Sequence, residues 1–262
     1  MAKQTILSKD GTTIAYDTVG KGPVVIQVLG ALNSRKTGAK LAKVLAPHFT
    51  VISYDRRGRG DSTDTPPYAP EREVEDLAAI IEAVGESVYL YGHSSGAAIV
   101  LDAAMKLPKQ IKKIAIYEVP YALGSDEQKA AKEYNRQLKK LLAAENNGDA
   151  VALFLGYIGV SEKQIGALKH LPMWKGLVAM APTLAYDSDV LGEGHALPST
   201  ARLAGIRMPA IVMAGGASPA FMRDVAESLS KAIPHARYLT LEGQIHGVKP
   251  TILTPALVEF FQ

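Results

Sequence analysis

Short apolar runs alternate with stretches of helical periodicity through the first 120 or so residues of the chain. The runs are rich in β-branched residues and are bounded by glycine, proline or aspartate, which is typical of strands covered on both faces of a sheet. They lie at Val24 to Leu29, Phe49 to Tyr54, Val88 to Tyr91 and Ile111 to Tyr117. Between the runs, apolar residues recur at intervals of three and four, which predicts helices over about Thr37 to Ala46, Val74 to Gly85 and Ala97 to Leu107.

The two ends of the chain extend this pattern. An Asp-Gly turn between Thr5 to Leu7 and Thr13 to Asp17 predicts an N-terminal hairpin. Near the C-terminus, strands are predicted at Ala210 to Ala214 and Arg237 to Leu241, and helices at Pro219 to Ala232 and Thr254 to Phe260. Alternation of this kind predicts an α/β fold with a doubly wound, mostly parallel sheet of about eight strands and an antiparallel start.

The alternation stops in the middle of the chain. Residues 121–207 instead have helical patterns at Glu127 to Glu145, Asp149 to Tyr157 and Glu162 to His170, followed by a looser stretch that holds Trp174 and Tyr186. We therefore expect one core domain, formed by residues 1–120 and 208–262, with a helical cap of residues 121–207 inserted into it.

Composition narrows the classes of protein that this chain could represent. Its 262 residues are 47% hydrophobic and 21% charged, with a net charge of +3 and no cysteine. The basic residues are spread over the faces of predicted helices without interleaved aromatic residues, which disfavours nucleic-acid binding. There is no apolar run long enough for a membrane span, and the N-terminus lacks a secretory pattern, so we expect a cytoplasmic protein. No complete dinucleotide fingerprint is present, and we expect neither a cofactor nor a metal.

The pentapeptide Gly92-His93-Ser94-Ser95-Gly96 is the strongest chemical signal in the chain. It follows a predicted strand and precedes a predicted helix, the context in which G-x-S-x-G forms a nucleophile elbow. Glycines on both sides would allow a tight turn that projects the hydroxyl of Ser94 above the sheet. The N-terminus of the following helix would favour negative charge at the same place. The pattern predicts an activated serine.

Taken together, these motifs resemble the α/β-hydrolase superfamily over essentially the whole chain. The residues that carry the resemblance are Gly30-Ala31 after an early strand, the Asp55 to Ser62 turn after the next, the pentapeptide around Ser94, and His246 after the last strand. The family implies a serine hydrolase with Ser94 as its nucleophile and a histidine base in the loop after the final strand.

His246 is the best candidate for that base, because a serine hydroxyl needs an imidazole to take its proton. His93 adjoins Ser94, but adjacent side chains diverge on such a turn, so we expect it to be structural or to line the pocket. The remaining histidines lie in predicted helix ends, the cap or a turn, where solvated or capping roles are expected: His48, His170, His195 and His235.

The acid that orients the histidine departs from the usual family pattern. Most relatives carry it in the loop after the penultimate strand, where this chain has Ser218, and a hydroxyl cannot stabilise an imidazolium as a carboxylate does. Some members place the acid after the strand that follows the elbow helix, which here is Glu118. We predict Glu118 as the acid, while Asp224, Glu242 or a dyad without an acid remain alternatives.

The resemblance also predicts an oxyanion hole made by the backbone N–H groups of Ser95 and Ala31. The expected activity is cofactor-free cleavage of an ester-like bond through an acyl-enzyme on Ser94. The substrate would be small and fairly apolar, enclosed by cap residues such as Met173 and Trp174. Two alternatives remain: a slow or non-catalytic binding protein, for which Ser218 is the best support, and a related lyase or perhydrolase. The oligomeric state is unknown from the sequence.

Overall fold

Eight strands form a single sheet in the computed structural model, which describes residues 3–262. Their bounds are Gln4–Leu7 (β1), Thr13–Val19 (β2), Val24–Val28 (β3), Thr50–Tyr54 (β4), Val88–His93 (β5), Ile111–Tyr117 (β6), Ala210–Gly215 (β7) and Ala236–Leu241 (β8). Across the sheet they follow the order β1-β2-β4-β3-β5-β6-β7-β8. β2 pairs antiparallel with both β1 and β4, and all other pairs are parallel. The predicted mostly parallel sheet with an antiparallel start is confirmed.

Helices cover both faces of this sheet. Their bounds are Arg35–Leu45 (α1), Pro70–Val84 (α2), Ser95–Lys106 (α3), Ser125–Ala143 (α4), Asn147–Tyr157 (α5), Glu162–Lys169 (α6), Met173–Met180 (α7), Leu184–Leu191 (α8), Thr200–Leu203 (α9), Ala220–Ala232 (α10) and Pro250–Phe261 (α11). Alternate residues of β3 point to opposite faces: Ile26 belongs to the apolar cluster that includes α2 and α3, and Val25 belongs to the cluster that includes α1 and α11. This alternation explains why β3 is apolar almost throughout and buried at every position.

Six helices, α4 to α9, lie between two strands that are neighbours in the sheet, β6 and β7. We call residues 121–207 the helical insertion. Trp174 and Tyr186, which the sequence placed in a looser stretch, lie in the helices α7 and α8. The looser stretch was a wrong prediction: Pro172 and Pro182 lie just before these two helices, where proline is tolerated. None of the helices in the described residues combines the length and apolarity needed to cross a bilayer.

The last helix, α11, begins at Pro250 rather than at the predicted Thr254. Pro255 lies inside it and cannot donate a backbone hydrogen bond. Leu253 and Leu257 are nevertheless fully buried against the sheet face that α1 also covers. Burial of this apolar stripe outweighs the lost hydrogen bond.

His195 is buried in the helical insertion, with only 3% of its surface exposed, so the expected solvated or capping role was wrong. Gly194 and His195 both have positive φ, and this turn places the imidazole edge-on to the rings of Tyr134 and Tyr157. Burial lowers the pKa of His195 from 6.5 to about 4. The ring is therefore neutral in the folded protein at neutral pH.

We expect His195 to make folding sensitive to mild acid. Between its unfolded and folded pKa values the unfolded chain binds a proton that the folded protein does not, so stability falls as the pH decreases from 6.5 towards 4. The loss attributable to this group is roughly 2 to 3 kcal/mol between about pH 7.5 and pH 4.5. Urea unfolding of His195→Gln at both pH values should show a pH dependence smaller by that amount.

The matched control is His48→Gln, which removes an exposed histidine from the α1–β4 connection. It should keep the wild-type dependence of unfolding on pH. If His195→Gln also keeps it, burial of His195 is not the source of the acid sensitivity.

Candidate active site

Ser94 lies at the sharp turn between β5 and α3. Its backbone has φ 58° and ψ −132°, a conformation that L-residues rarely adopt and that often marks a functional site. A Cβ on Gly92 would lie 2.6 Å from Cα of Ala97, and one on Gly96 would lie 2.3 Å from the carbonyl oxygen of Val28. The two glycines are therefore needed because backbone segments pass within contact distance on either side of the serine.

The loop after β3 runs beside the hydroxyl of Ser94. A Cβ on Gly30 would lie only 3.1 Å from Oγ of Ser94, so the Gly30-Ala31 peptide is close to the nucleophile candidate. Neither the N–H of Ala31 nor that of Ser95 donates to an acceptor within residues 3–262. Both predicted oxyanion donors thus lie near Ser94 with their N–H groups available to a ligand.

Glu118 is the carboxylate that contacts His246. Nδ1 of the imidazole lies 2.8 Å from Oε2 of Glu118, and the backbone N–H of Gly215 donates to Oε1 at 2.7 Å. Glu118 is buried at the tip of β6, whereas Asp224 and Glu242, the alternative acids, are exposed. The structure therefore brings together the predicted acid and base.

The charge on Glu118 determines which nitrogen of His246 carries the proton. Burial raises the pKa of Glu118, but hydrogen bonds from His246 and Gly215, together with the nearby hydroxyl of Ser218, outweigh burial and hold the pKa below its ordinary value. An ionised carboxylate only accepts hydrogen bonds, so Nδ1 must be the donor. In the neutral imidazole Nε2 is then left with its lone pair free to accept a proton.

Two residues that sequence reasoning did not assign to the site hold the His246 loop in place. Nε2 of His93 donates to the carbonyl oxygen of His246 at 2.9 Å, and the hydroxyl of Tyr117 donates to that of Ile245 at 2.8 Å. Burial and the neighbouring His246 lower the pKa of His93 to about 4. His93 is therefore a neutral structural residue, as expected, and its ring lies 4.6 Å from that of His246, centroid to centroid. The sequence signal that could have identified His93 and Tyr117 is that they directly precede Ser94 and Glu118.

The turn from Asp55 to Ser62 contains buried ion pairs rather than an open pocket wall. Arg35 contacts Asp55 and Asp61, and Arg57 pairs with Asp76 at 2.7 Å. Arg56 and Arg59 pair with an acid of the helical insertion, Asp187. Asp187 had no sequence signal, since nothing in the pattern around α8 distinguished it from a solvated helix residue.

Of the two residues predicted to enclose a substrate, Met173 is 55% exposed. Trp174 packs on an apolar cluster that includes Leu32 and borders Ala31, near the Ser94 hydroxyl. Within residues 3–262, no group of three or more histidine, aspartate or glutamate side chains is arranged to hold a metal ion.

Comparison with known proteins agrees with the observed fold and with the family that the sequence resembles. Residues 34–248 match the model of the alpha/beta hydrolase family. The structure resembles that of an alpha/beta hydrolase from Sphaerobacter thermophilus DSM 20745, with 49% identity and a TM-score of 0.89 over 99% of this chain and 100% of that one.

Two further relatives are named as hydrolases. The human serine hydrolase BPHL is 27% identical over 250 residues, which cover 90% of this chain and 77% of the relative. The uncharacterized hydrolase YraK of Bacillus subtilis is 30% identical over 140 residues, about half of each chain. The sheet, the strained serine and these matches have one explanation: the chain belongs to the alpha/beta hydrolase family of enzymes.

Proposed function

We propose that the protein is a serine hydrolase that cleaves an ester-like bond through an acyl-enzyme on Ser94. The observation that carries the proposal is the 2.8 Å contact between Nδ1 of His246 and Oε2 of Glu118, because it leaves Nε2 available as a base. The strained turn at Ser94 and its position beside the Gly30-Ala31 peptide support the same reading.

In the proposed mechanism Oγ of Ser94 attacks the substrate carbonyl while Nε2 of His246 takes its proton. Glu118 stabilises the imidazolium that forms, and the N–H groups of Ala31 and Ser95 stabilise the oxyanion. His246 then protonates the leaving group as its bond to the acyl carbon breaks. In the second half of the reaction Nε2 of His246 takes a proton from water, which attacks the acyl carbon, and returns that proton to Oγ of Ser94 as the acid leaves. These steps require no cofactor.

We further propose that the helical insertion, residues 121–207, is a cap over the core formed by residues 1–120 and 208–262. Its apolar cluster reaches Leu32 and borders Ala31, beside the oxyanion loop, which favours a small and fairly apolar acyl group. The human relative is named a serine hydrolase, which supports the reaction class but not a substrate. A small-molecule substrate is what hydrolases of this family take.

A fluorophosphonate probe should label the wild-type protein on Ser94. Attack by an activated serine on phosphorus gives a stable adduct, so peptide mass spectrometry should find the added mass on the peptide that contains the elbow. Short-chain p-nitrophenyl esters should be hydrolysed, with a burst of p-nitrophenol if deacylation is slower than acylation. Protein unfolded in urea is the control, because labelling depends on the assembled site.

Two results would contradict this proposal. The first is the absence of labelling on Ser94 in the folded protein, and the second is labelling with no turnover of any ester, thioester or lactone tested. Turnover that requires hydrogen peroxide, or that splits a cyanohydrin instead of an ester, would identify the alternative perhydrolase or lyase chemistry on the same residues.

A further inference from the structure

Four charged side chains form a buried cluster between the turn after β4, α2 and α8. Arg56 and Arg59 supply two positive charges, and Glu73 and Asp187 supply two negative ones, so the charges balance. Each of the four is at most 5% exposed. Removing either acid would leave an arginine uncompensated in a buried place, which makes the cluster a rigid unit.

Asp187 connects this cluster to the start of the elbow helix. Its Oδ1 accepts hydrogen bonds from Oγ of Ser95 and from Arg56, both at 2.7 Å, and its Oδ2 accepts one from Arg59 at 2.7 Å. Ser95 is the residue after Ser94, and its backbone N–H is one of the two proposed oxyanion donors. The hydroxyl of Ser95 is neutral and does not contribute to the charge balance of the cluster. Its hydrogen bond to Asp187 instead fixes the first turn of α3.

The same cluster also determines the direction of the second proposed donor. Arg59 donates to the carbonyl oxygen of Gly30 at 2.8 Å, and Arg56 donates to that of Leu29 at 3.3 Å. The Gly30–Ala31 peptide bond is trans, so its C=O and its N–H point in opposite directions. Holding the Gly30 carbonyl towards Arg59 therefore turns the N–H of Ala31 away from the cluster. Gly30 itself lies against Ser94, since a Cβ on Gly30 would be 3.1 Å from Oγ of Ser94.

We infer that Asp187 of the helical insertion is a positioning residue that holds both oxyanion donors, Ser95 directly and Ala31 through Arg59. This inference rests on the proposed function, because it assigns Asp187 a role in the same site. It makes the insertion part of the reaction machinery, as a carboxylate in α8 sets the geometry of two backbone segments of the core. A donor displaced by about 1 Å from a developing oxyanion loses much of its catalytic effect.

The test compares two similar substitutions. Asp187→Asn removes the charge that binds Arg59 and Arg56, and Asp76→Asn removes the charge of a buried acid that pairs with Arg57 in the same turn but has no contact with the oxyanion loop. We expect both variants to lose thermal stability. Only Asp187→Asn should lower kcat for a p-nitrophenyl ester, by about 10- to 100-fold, with KM within about two-fold of the wild type.

Ser95→Ala is the second variant, in case Asp187→Asn does not fold. It keeps every charge and the backbone N–H and removes only the hydroxyl that Asp187 binds, so it should fold and lower kcat by about 3- to 10-fold. In both variants the apparent pKa of the kcat/KM profile should stay at the wild-type value, because the base and its acid are untouched.

The inference is overturned if Ser95→Ala has wild-type kcat, or if Asp187→Asn lowers kcat no more than Asp76→Asn does. Either result would leave the proposed function intact if the wild-type protein is labelled by a fluorophosphonate on Ser94 and hydrolyses esters. Absence of labelling and turnover in the wild type would instead remove the proposed function itself.

Discussion

Ser94→Ala should lower kcat for ester hydrolysis by at least about 10⁴-fold and abolish fluorophosphonate labelling, while the fold remains intact. Only the hydroxyl is removed. The backbone N–H of Ser94 still donates to the carbonyl oxygen of Tyr117 at 3.0 Å, and the neighbouring glycines keep their close contacts. Circular dichroism and thermal unfolding should therefore match the wild type while steady-state kinetics and mass spectrometry report the loss.

The matched control is Ser230→Ala on α10, which makes the same chemical change where the hydroxyl bonds only to the carbonyl of Glu227. Its activity and labelling should equal those of the wild type. If Ser94→Ala retained more than about a tenth of wild-type activity, a different nucleophile or a direct attack by water would have to be considered.

Glu118→Gln should lower kcat by about 10² to 10⁴-fold with little change in KM. A glutamine can offer its amide N–H to Nδ1 of His246, which favours the tautomer with the proton on Nε2 and leaves no base facing Ser94. It also removes the negative charge that stabilises the imidazolium. Kinetics at several pH values, with an active-site titration by fluorophosphonate, would separate loss of rate from loss of folded sites.

The controls for this variant are Asp224→Asn and Glu242→Gln, which change the two exposed carboxylates considered as alternative acids. Both should retain wild-type kcat. A stronger test adds Ser218→Asp to Glu118→Gln, because Ser218 is buried in the turn whose Gly215 N–H contacts Glu118. Partial recovery of kcat is expected, whereas near-wild-type activity of Glu118→Gln alone would contradict the assignment of the acid.

Sequence patterns were most informative for polar residues at the carboxyl ends of strands. Ser94, Glu118 and His246 could be selected together because parallel strands bring their carboxyl ends to one edge of the sheet. In the structure His93 of β5 pairs with Tyr117 of β6, so the next residue after each strand is Ser94 or Glu118. Hydrophobic periodicity identified the strands, but their order across the sheet was not predicted from the sequence.

Contacts that depend on packing between distant helices could not be predicted. Asp187 meets Ser95 across 92 positions of the chain, and α8 around it has no feature that indicates a buried acid. His195 enters a cluster of tyrosines only because the chain turns through positive φ at two successive residues. Such side chains are placed by tertiary structure, for which local propensity carries little information.

The tips of β5 and β6 share an unusual feature, since Ser94 and Glu118 both have positive φ, at 58° and 47°. Any residue with a Cβ is less comfortable there than glycine, so the two reactive positions each subtract of order 1 kcal/mol or more from the folding free energy. A laboratory evolution experiment that rewarded heat resistance alone would therefore tend to collect glycine at positions 94 and 118. Variants with raised melting temperatures in such a library should therefore be inactive. Selection for thermal stability in this protein needs an assay of ester turnover from the first round.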